Sequence, residues 1–273
     1  MPGRLILCAT PIGNLGDASP RLAQALNEAE IIFAEDTRRS RVLLQHLGVN
    51  RPLRSYHVGN EGSQAQVIHD LLVGGATAAL LTDAGTPAIS DPGMSAVAAA
   101  RAAAATISVI PGPSAVTAAL AVSGLPSERF VFEGFLPRKG PSRRQRLREL
   151  SRETRSMVFF IAPHHLLDDL DALLDGLGDR PLSVARELTK IFEEVWWGTL
   201  TEAIEEWTAR EPQGEFTVVI AGGEETEPDL EAALARALEL ITEGTPLATA
   251  VKEVAEVSGV PRRQLYQRVL DSR

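Results

Sequence analysis

Short apolar runs alternate with segments of helical periodicity up to about residue 110 of the chain. Runs such as RLILCA, IIFA and TAALLT predict buried strands, and the segments between them place apolar residues three and four positions apart, as a helix requires. Ser19 followed by Pro20 predicts the start of the first helix, because serine is a good N-cap and proline fits the first helical position. This alternation predicts a parallel sheet with helices on both faces.

The pattern changes in the second half of the chain. FVFEGF, MVFFIA, LSVARE, VWWGTL and EFTVVIAGG predict five further strands, and their more mixed spacing indicates that some are antiparallel. From about residue 228 the chain is helical, in three segments separated by EGTP and SGVP. We therefore predict an α/β protein with a mainly parallel N-terminal domain over 1–113, a second, mixed α/β domain over 114–226 and a helical extension over 227–273.

Composition and charge narrow the function classes. The 273 residues are 44% apolar and 23% charged, which is typical of a folded globular protein. Cys8 is the only cysteine, which excludes an internal disulfide framework and favours a reducing compartment. We expect a soluble, cytoplasmic protein without a membrane partner, because no apolar run approaches the length of a membrane span. The net charge of −9 argues against a uniformly basic nucleic-acid binder but leaves room for a local basic patch.

The loops after the predicted strands hold the candidate ligand-binding residues, since ligands of parallel α/β sheets bind beyond the carboxyl ends of the strands. DAGTPAISDPG, from Asp83 to Gly93, is longer than most such loops, and its glycines and prolines fix a backbone shape. In PGPSA, Ser114 is placed to cap the next helix and to leave amides free for an anion. No dinucleotide fingerprint and no P-loop motif is present, so neither of these nucleotide sites is expected. With one cysteine and no HExxH motif, no metal site is expected either.

Three residues are candidates for acid–base chemistry. EDTRR places Asp36 among charged side chains at a strand end, although a solvated helix start is an equal alternative. Glu187 and Lys190 follow another strand. Burial lowers the pKa of a lysine and allows it to act as a base, with a surface ion pair as the alternative.

Two regions are candidates for polyanion binding. The segment 137–155 has eight Arg or Lys residues against two Glu, and arginine suits bidentate contacts to phosphate, although a solvated charged face is the alternative. The last two helices predict a helix-turn-helix with Ala250, Val254 and Leu265 in its core, although many helical hairpins only pack on their own domain. The candidate contacts are Arg138, Lys139, Arg143, Arg144, Arg146, Arg262 and Arg263.

Seven motifs carry a family resemblance: TPIGNLGD, AEDTRR, SYHVGN, LLTDAGTPAISDPG, PGPSAVTAALAVSGLP, FEGFLPRKG and ELTKIFEEV. In this order they resemble the ribosomal RNA small subunit methyltransferase I family, 16S rRNA cytidine 2′-O-methyltransferases of the tetrapyrrole methylase superfamily. The resemblance implies S-adenosylmethionine in a cleft between two α/β domains, the small ribosomal subunit as substrate, and a homodimer. By position it implies cofactor contacts at Asp83, Ala84, Gly85, Thr86, Ile89, Ser114, Ala115, Ile161 and Ala221.

The chain departs from the family pattern in two places. It reads SYHVGN over 55–60, where the family usually reads SYHEHN, and FIAPHH over 160–165, where the family usually reads YESPHR. Cofactor contacts there are often made by the backbone, so cofactor binding is expected to survive these changes.

Two other functions stay open on the sequence alone. A methylase of a corrinoid or porphyrin precursor would have the same fold, but the basic segment and the helical extension argue against it. A regulator that binds nucleic acid through its last helices, with the α/β part as a sensor, would leave the second α/β domain unexplained.

Overall fold

A computed structural model describes residues 3–223 and 229–272 of the chain. They fall into two compact units, the first of which ends at Gly223. The first unit contains two sheets, and the second consists of helices.

The first sheet is entirely parallel, as the alternating pattern predicts, with the strand order β3-β2-β4-β1-β5. Its strands are β1 (Arg4–Cys8), β2 (Ile31–Ala34), β3 (Leu53–Ser55), β4 (Thr77–Leu81) and β5 (Thr106–Ile110). Its helices are α1 (Pro20–Glu28), α2 (Thr37–His46), α3 (Glu61–Val73) and α4 (Met94–Ala102).

Apolar side chains cover both faces of this sheet. Leu26 of α1 and Leu43 of α2 pack on one face, and Ile68 and Leu72 of α3 pack on the other. The predicted start of α1 is confirmed, since the Ser19 side chain accepts a hydrogen bond from the Leu22 amide and Pro20 is the first helical residue.

Cys8 ends β1, which lies between β4 and β5. Its side chain is fully buried, and burial raises the pKa of the thiol to about 12.

The second sheet is mixed, with the order β6-β7-β10-β8-β9, and only β6 and β7 are parallel. Its strands are β6 (Phe130–Gly134), β7 (Ser156–Ile161), β8 (Pro181–Arg186), β9 (Glu194–Thr199) and β10 (Phe216–Ile220). Its helices are α5 (Ala115–Ser123), α6 (Gly140–Leu150), α7 (Leu166–Leu177) and α8 (Leu200–Thr208).

Two apolar clusters hold the second sheet in place. One joins α7 and α8 to the sheet around Trp207, whose ring meets Phe216 edge to face at 5.1 Å between centroids. The other joins α5 to the opposite face and also includes Ile12, which follows β1 of the first sheet. Ile12 therefore connects the packing of the two sheets, which brings their ligand-facing edges together.

The second unit is a bundle of α9 (Leu230–Thr242), α10 (Leu247–Ser258) and α11 (Arg262–Asp271). Ala250, Val254 and Leu265 are buried, as predicted. Gly259 has a φ of +71° and allows the tight turn between α10 and α11, since glycine adopts the left-handed conformation without strain. Among the described residues, the helices are all too short or too polar to cross a membrane.

Candidate active site

A cavity of about 540 Å³ lies between the carboxyl edge of the first sheet and one edge of the second. This volume is in the range of small-molecule sites. Residues from the loops after β1, β2, β4 and β5 line it, among them Ile12, Glu35, Asp83 and Ser114. Of the five loops that follow the parallel strands, these four contribute to the cavity. The SYHVGN loop does not line the cavity; Tyr56 is buried there and its hydroxyl lies 2.5 Å from the Ser95 hydroxyl.

The long loop after β4 has an unusual backbone. Ala88 and Ser90 have φ values of +69° and +63°, a left-handed conformation that is costly for residues other than glycine. Gly85 also has a positive φ, and its amide and carbonyl exchange hydrogen bonds with the backbone of Thr10 at 3.2 and 2.8 Å. Backbone hydrogen bonds to Thr10 therefore help to hold this loop in shape where it forms part of the cavity wall.

Ser114 occupies the N-cap position of α5, but its side chain makes no capping hydrogen bond. This differs from Ser19, whose hydroxyl caps α1. The Ser114 side chain lines the cavity and is available to a ligand.

The structure brings eight of the nine predicted cofactor residues to the cavity wall. These are Asp83, Ala84, Gly85, Thr86, Ile89, Ser114, Ala115 and Ile161.

Ala221 is the exception and corrects the prediction. It follows β10, which runs antiparallel to β7, so the end of β10 points away from the edge at which β7 ends. Its amide donates to the Pro181 carbonyl at 2.9 Å, whereas Phe216 and Thr217, at the start of β10, line the cavity.

Four carboxylates line the cavity: Glu35, Asp83, Asp91 and Glu215, the last of which is paired with Lys190 at 3.0 Å. Burial, together with the charges of Glu35 and Asp83, raises the pKa of Asp91 to about 6. Burial and the charge of Asp83 also raise the pKa of Glu35. Arg39 pairs with Asp83 at 3.4 Å. The cavity therefore favours a ligand that brings positive charge.

Sequence reasoning singled out neither Glu35 nor Asp91. Their signals were present, since Glu35 directly follows β2 and Asp91 is the second aspartate of the DAGTPAISDPG loop.

Asp36, predicted as a possible base, lies outside the cavity lining. It caps α2 by accepting from the Arg38 amide at 2.8 Å, and it also binds the Arg38 guanidinium at 2.8 Å. These hydrogen bonds lower its pKa to about 2. The structure therefore favours the alternative, a charged helix start.

Lys190 forms ion pairs with Glu187 at 2.7 Å and with Glu215 at 3.0 Å. Burial acts to lower the pKa of Lys190, but hydrogen bonds and charge from the two glutamates outweigh burial and raise it. The same contact, opposed by burial, lowers the pKa of Glu187. The lysine therefore holds its proton firmly, which favours the predicted alternative of an ion pair.

This ion-pair group lies at the edge of the site. Leu188 and Glu215 line the cavity, and a Cβ on Gly13 would lie 2.4 Å from Cγ of Lys190. The Lys190 side chain thus packs on the TPIGNL loop of the first sheet because Gly13 leaves room for it.

Aromatic rings form the wall contributed by the second sheet. The centroids of Phe132 and Phe160 are 5.0 Å apart, and those of Phe135 and Phe160 are 5.8 Å apart. These rings, tilted against one another, give the cavity an apolar aromatic surface.

In the basic segment 137–155, some of the positively charged side chains are already bound to other residues of the fold. Arg143 forms a buried ion pair with Asp169 at 2.7 Å and donates to the carbonyls of Pro137 and Asp168. Arg146 binds Glu133 and Glu149. The prediction that these two arginines contact RNA is corrected, because the fold already uses both guanidinium groups.

The other residues that were predicted to contact RNA are exposed to solvent. Within the part of the chain that the structure describes, Arg138, Lys139, Arg144, Arg262 and Arg263 make no ion pair and donate no side-chain hydrogen bond. Of the three arginines on α11, Arg268 is the one that forms an ion pair with another described residue, Glu231, at 2.8 Å. Among the described residues, no group of His, Cys, Asp and Glu side chains is arranged to hold a metal ion.

Comparisons with known proteins follow the same division. The family model "Tetrapyrrole (Corrin/Porphyrin) Methylases" matches residues 4–204, and the model "RsmI C-terminal HTH domain" matches residues 227–273. The chain is 46% identical over 268 residues to a protein of Xylella fastidiosa named "Ribosomal RNA small subunit methyltransferase I", covering 97% of this chain and 98% of that protein.

A protein of Thermotoga maritima with the same name is 44% identical over 222 residues, which span 81% of this chain and all of that protein. The 222 matched residues, which make up all of that protein, are about as many as the residues of the first unit.

Solved structures share the fold at low identity. The methyltransferase CobJ aligns with a TM-score of 0.61 at 19% identity, covering 84% of this chain and 98% of that one. Uroporphyrin-III C-methyl transferase from Thermus thermophilus, complexed with S-adenyl homocysteine, aligns with a TM-score of 0.58 at 16% identity, covering 80% and 96%.

Proposed function

Because the chain belongs to the ribosomal RNA small subunit methyltransferase I family within the tetrapyrrole methylases, we propose that it methylates the 2′-hydroxyl of a cytidine ribose in 16S rRNA. The methyl donor is S-adenosylmethionine. The observation that carries the proposal is the joint presence of the cavity and, in the same unit, unpaired basic residues.

The residues of the cavity fit this cofactor. Phe132, Phe160 and Ile161 offer an apolar surface to its adenosine end, and the carboxylates of Glu35, Asp83 and Asp91 suit its positive charge. The Ser114 hydroxyl is a further polar contact. When bound, the cofactor supplies an electrophilic methyl group on a sulfonium.

A test of this assignment compares two serines at N-cap positions. Ser114→Ala is expected to weaken S-adenosylmethionine binding roughly 3- to 10-fold, the contribution of one hydrogen bond. Ser19→Ala is the matched control, because it removes a true cap and costs about 1 kcal/mol of stability without touching the cavity. Calorimetry that finds the same cofactor affinity in both variants would remove Ser114 from the site.

The protein's main contribution to catalysis is alignment of the ribose oxygen with the methyl group, which holds the two reactants in one geometry. We propose Asp91 as the group that accepts the hydroxyl proton, since it lines the cavity and has a pKa of about 6. Lys190 and Glu187 are proposed to fix the TPIGNL loop rather than to move protons, because their ion pair keeps Lys190 protonated.

The pH dependence of the rate separates these roles. Below about pH 6 the rate should fall as Asp91 becomes protonated, with Glu35, Asp83 and Arg39 as the neighbouring charges that set this value. Asp91→Asn should lower the rate about 10²- to 10⁴-fold and remove the acid limb, as loss of a general base does. If Lys190→Ala causes the larger loss and shifts the profile, Lys190 is the base.

We propose RNA contacts in each unit separately, at residues whose charge the fold leaves free: Arg138, Lys139 and Arg144 in the first unit, and Arg262 and Arg263 on α11 in the second. The length match to the Thermotoga maritima relative supports a core that acts without the second unit. A chain that ends at Gly223 is therefore expected to bind the cofactor and to bind 30S subunits more weakly.

We also propose a homodimer acting in the cytoplasm, where ribosomal subunits are found. Ile107 and Val109 on the edge strand β5 are partly exposed and suit burial against a second copy. Sedimentation equilibrium tests this, and a monomer at micromolar concentration would contradict it.

The experiment that decides the function is transfer of labelled methyl from S-adenosylmethionine to purified 30S subunits, followed by mapping of the modified nucleotide. Transfer to a cytidine 2′-oxygen is expected. Transfer to a corrinoid or porphyrin precursor, with none to 30S subunits, would establish the alternative methylase function.

A further inference from the structure

A partly exposed aromatic ring lies at the mouth of the cavity, and we propose that Phe135 stacks on a nucleobase of the RNA substrate beside the ribose that is methylated. The proposal rests on the proposed function. Phe135 lines the cavity, yet it is 61% exposed. Phe160 supports the ring from one side at 5.8 Å between centroids. The rest of the ring is open to a partner.

Three features of the chain fix this position. The pairing of β6 with β7 is irregular between Phe132 and Gly134, and such bulges commonly redirect a side chain next to a site. Gly134 then has a φ of +63°, and a Cβ there would lie 3.3 Å from Oγ of Ser90 in the long loop. Glu133, between Phe132 and Gly134 in the sequence, accepts a hydrogen bond from Nε of Arg146 at 2.7 Å. The exposed ring is therefore held in place rather than loosely attached.

The geometry of a nucleotide explains why a ring is useful here. A 2′-hydroxyl is carried by the ribose carbon next to the one that carries the base, so a hydroxyl inside the cavity leaves its base at the mouth. A base removed from its neighbours in RNA loses stacking, and aromatic side chains replace that contact with little regard to sequence. Among the described aromatic residues, Phe135 is the one that is exposed and also lines the cavity; Phe192 is 71% exposed but does not line it.

Charge supports RNA as the occupant. Arg138 and Lys139 follow Phe135 by three and four positions, so their Cα atoms lie within about 14 Å of it. Both are exposed, and within the described ranges neither forms an ion pair. Two free cations at this distance suit the phosphates that flank a stacked nucleotide.

The test uses full-length protein and three variants. Phe135→Leu removes the aromatic face, Phe135→Tyr keeps it, and Phe130→Leu is the matched control because Phe130 is a partly exposed phenylalanine at the other end of β6. Three quantities are measured: the Kd of a single-stranded cytidine-containing oligonucleotide, the KM for 30S subunits, and the Kd of S-adenosylmethionine by calorimetry.

Phe135→Leu should raise the oligonucleotide Kd and the KM at least about fivefold, the lower range for loss of one stacked base. The cofactor Kd should stay within about twofold, and Phe135→Tyr and Phe130→Leu should behave like the unaltered protein. Equal oligonucleotide binding by the Leu variant and the unaltered protein overturns the proposal. A matching loss of cofactor affinity also overturns it, by assigning the ring to the cofactor. Failure of the proposed function is a separate result: the unaltered protein would then bind the oligonucleotide but transfer no methyl to 30S subunits.

Discussion

Two arginine-rich regions, the segment 137–155 and helix α11, were both predicted to bind RNA, but the fold treats their side chains differently. In the segment, Arg143, Arg146 and Arg155 are bound to carboxylates of the first unit. On α11, only Arg268 is paired among the described residues. The segment therefore has two tasks, holding its domain together and presenting charge, whereas α11 mainly presents charge. A count of positive residues in a sequence does not separate these tasks.

The largest expected effect comes from the buried pair in the segment. Arg143→Gln should lower the free energy of unfolding by about 3–5 kcal/mol, because Asp169 would remain buried without its partner. Arg144→Gln is the control at the next position, and a change within about 0.5 kcal/mol is expected there. Urea unfolding measures both. If the two variants were equally stable, the ion pair of Arg143 would contribute nothing to stability, as for the unpaired Arg144.

The free cations of the first unit should have the next largest effect. Replacing Arg138, Lys139 and Arg144 by glutamine should weaken 30S binding roughly 100-fold at 0.1 M salt and lower the salt slope by about 2, since each phosphate contact contributes about 0.7 to that slope. Filter binding at several salt concentrations tests this. An unchanged slope would mean that the segment does not contact phosphate.

Helix α11 provides the corresponding test of the second unit. The double variant Arg262→Gln and Arg263→Gln should lower the salt slope by about 1.4 and weaken binding roughly 25-fold, from two contacts instead of three. If the double variant binds 30S subunits as the unaltered protein does, the last helices only pack on one another.

The smallest effect concerns an ion pair of the segment that is closer to solvent. Side-chain hydrogen bonds from Arg155 lower the pKa of Glu153 from 4.5 to about 2. An acid with a lowered pKa contributes stability above pH 4.5 and loses that contribution as the pH falls towards 2. Arg155→Gln should lower the free energy of unfolding slightly at pH 7, because solvent screens this pair, and should leave it unchanged near pH 2. Unfolding by urea at pH 7 and pH 3 should show the gap closing; a constant gap would contradict the linkage.

The sequence predicted the sheets well, because apolar runs mark strands wherever burial is strong. The runs RLILCA, IIFA and TAALLT each contain one complete strand, β1, β2 and β4 in that order. The loops after the parallel strands could likewise be assigned to one edge, since parallel strands all end on the same side.

The sequence could not predict the direction of each strand or which charged side chains would pair with one another. Ile161 and Ala221 both lie at the end of a strand, but β10 is antiparallel to β7, so the two strand ends lie at opposite edges of the sheet. An apolar run in the sequence does not indicate the direction of its strand. Arg143 and Arg144 are neighbours in sequence, yet adjacent residues on a helix point about 100° apart, so one meets Asp169 and the other meets solvent. The raised pKa of Asp91 depends on burial and on the nearby charges of Glu35 and Asp83, and both conditions arise only in the folded chain.

The position of Cys8 has a practical consequence. It is the only thiol in the chain, it is fully buried in a strand with neighbours on both sides, and its pKa is about 12. Alkylating reagents attack the thiolate, so labelling requires β1 to separate from its sheet first. Each labelled molecule therefore records one opening of the first sheet, and the labelling rate under native conditions gives the free energy of that opening. Since a bound ligand slows such openings by mass action, the same native residue can report cofactor binding as protection from alkylation, without any engineered probe.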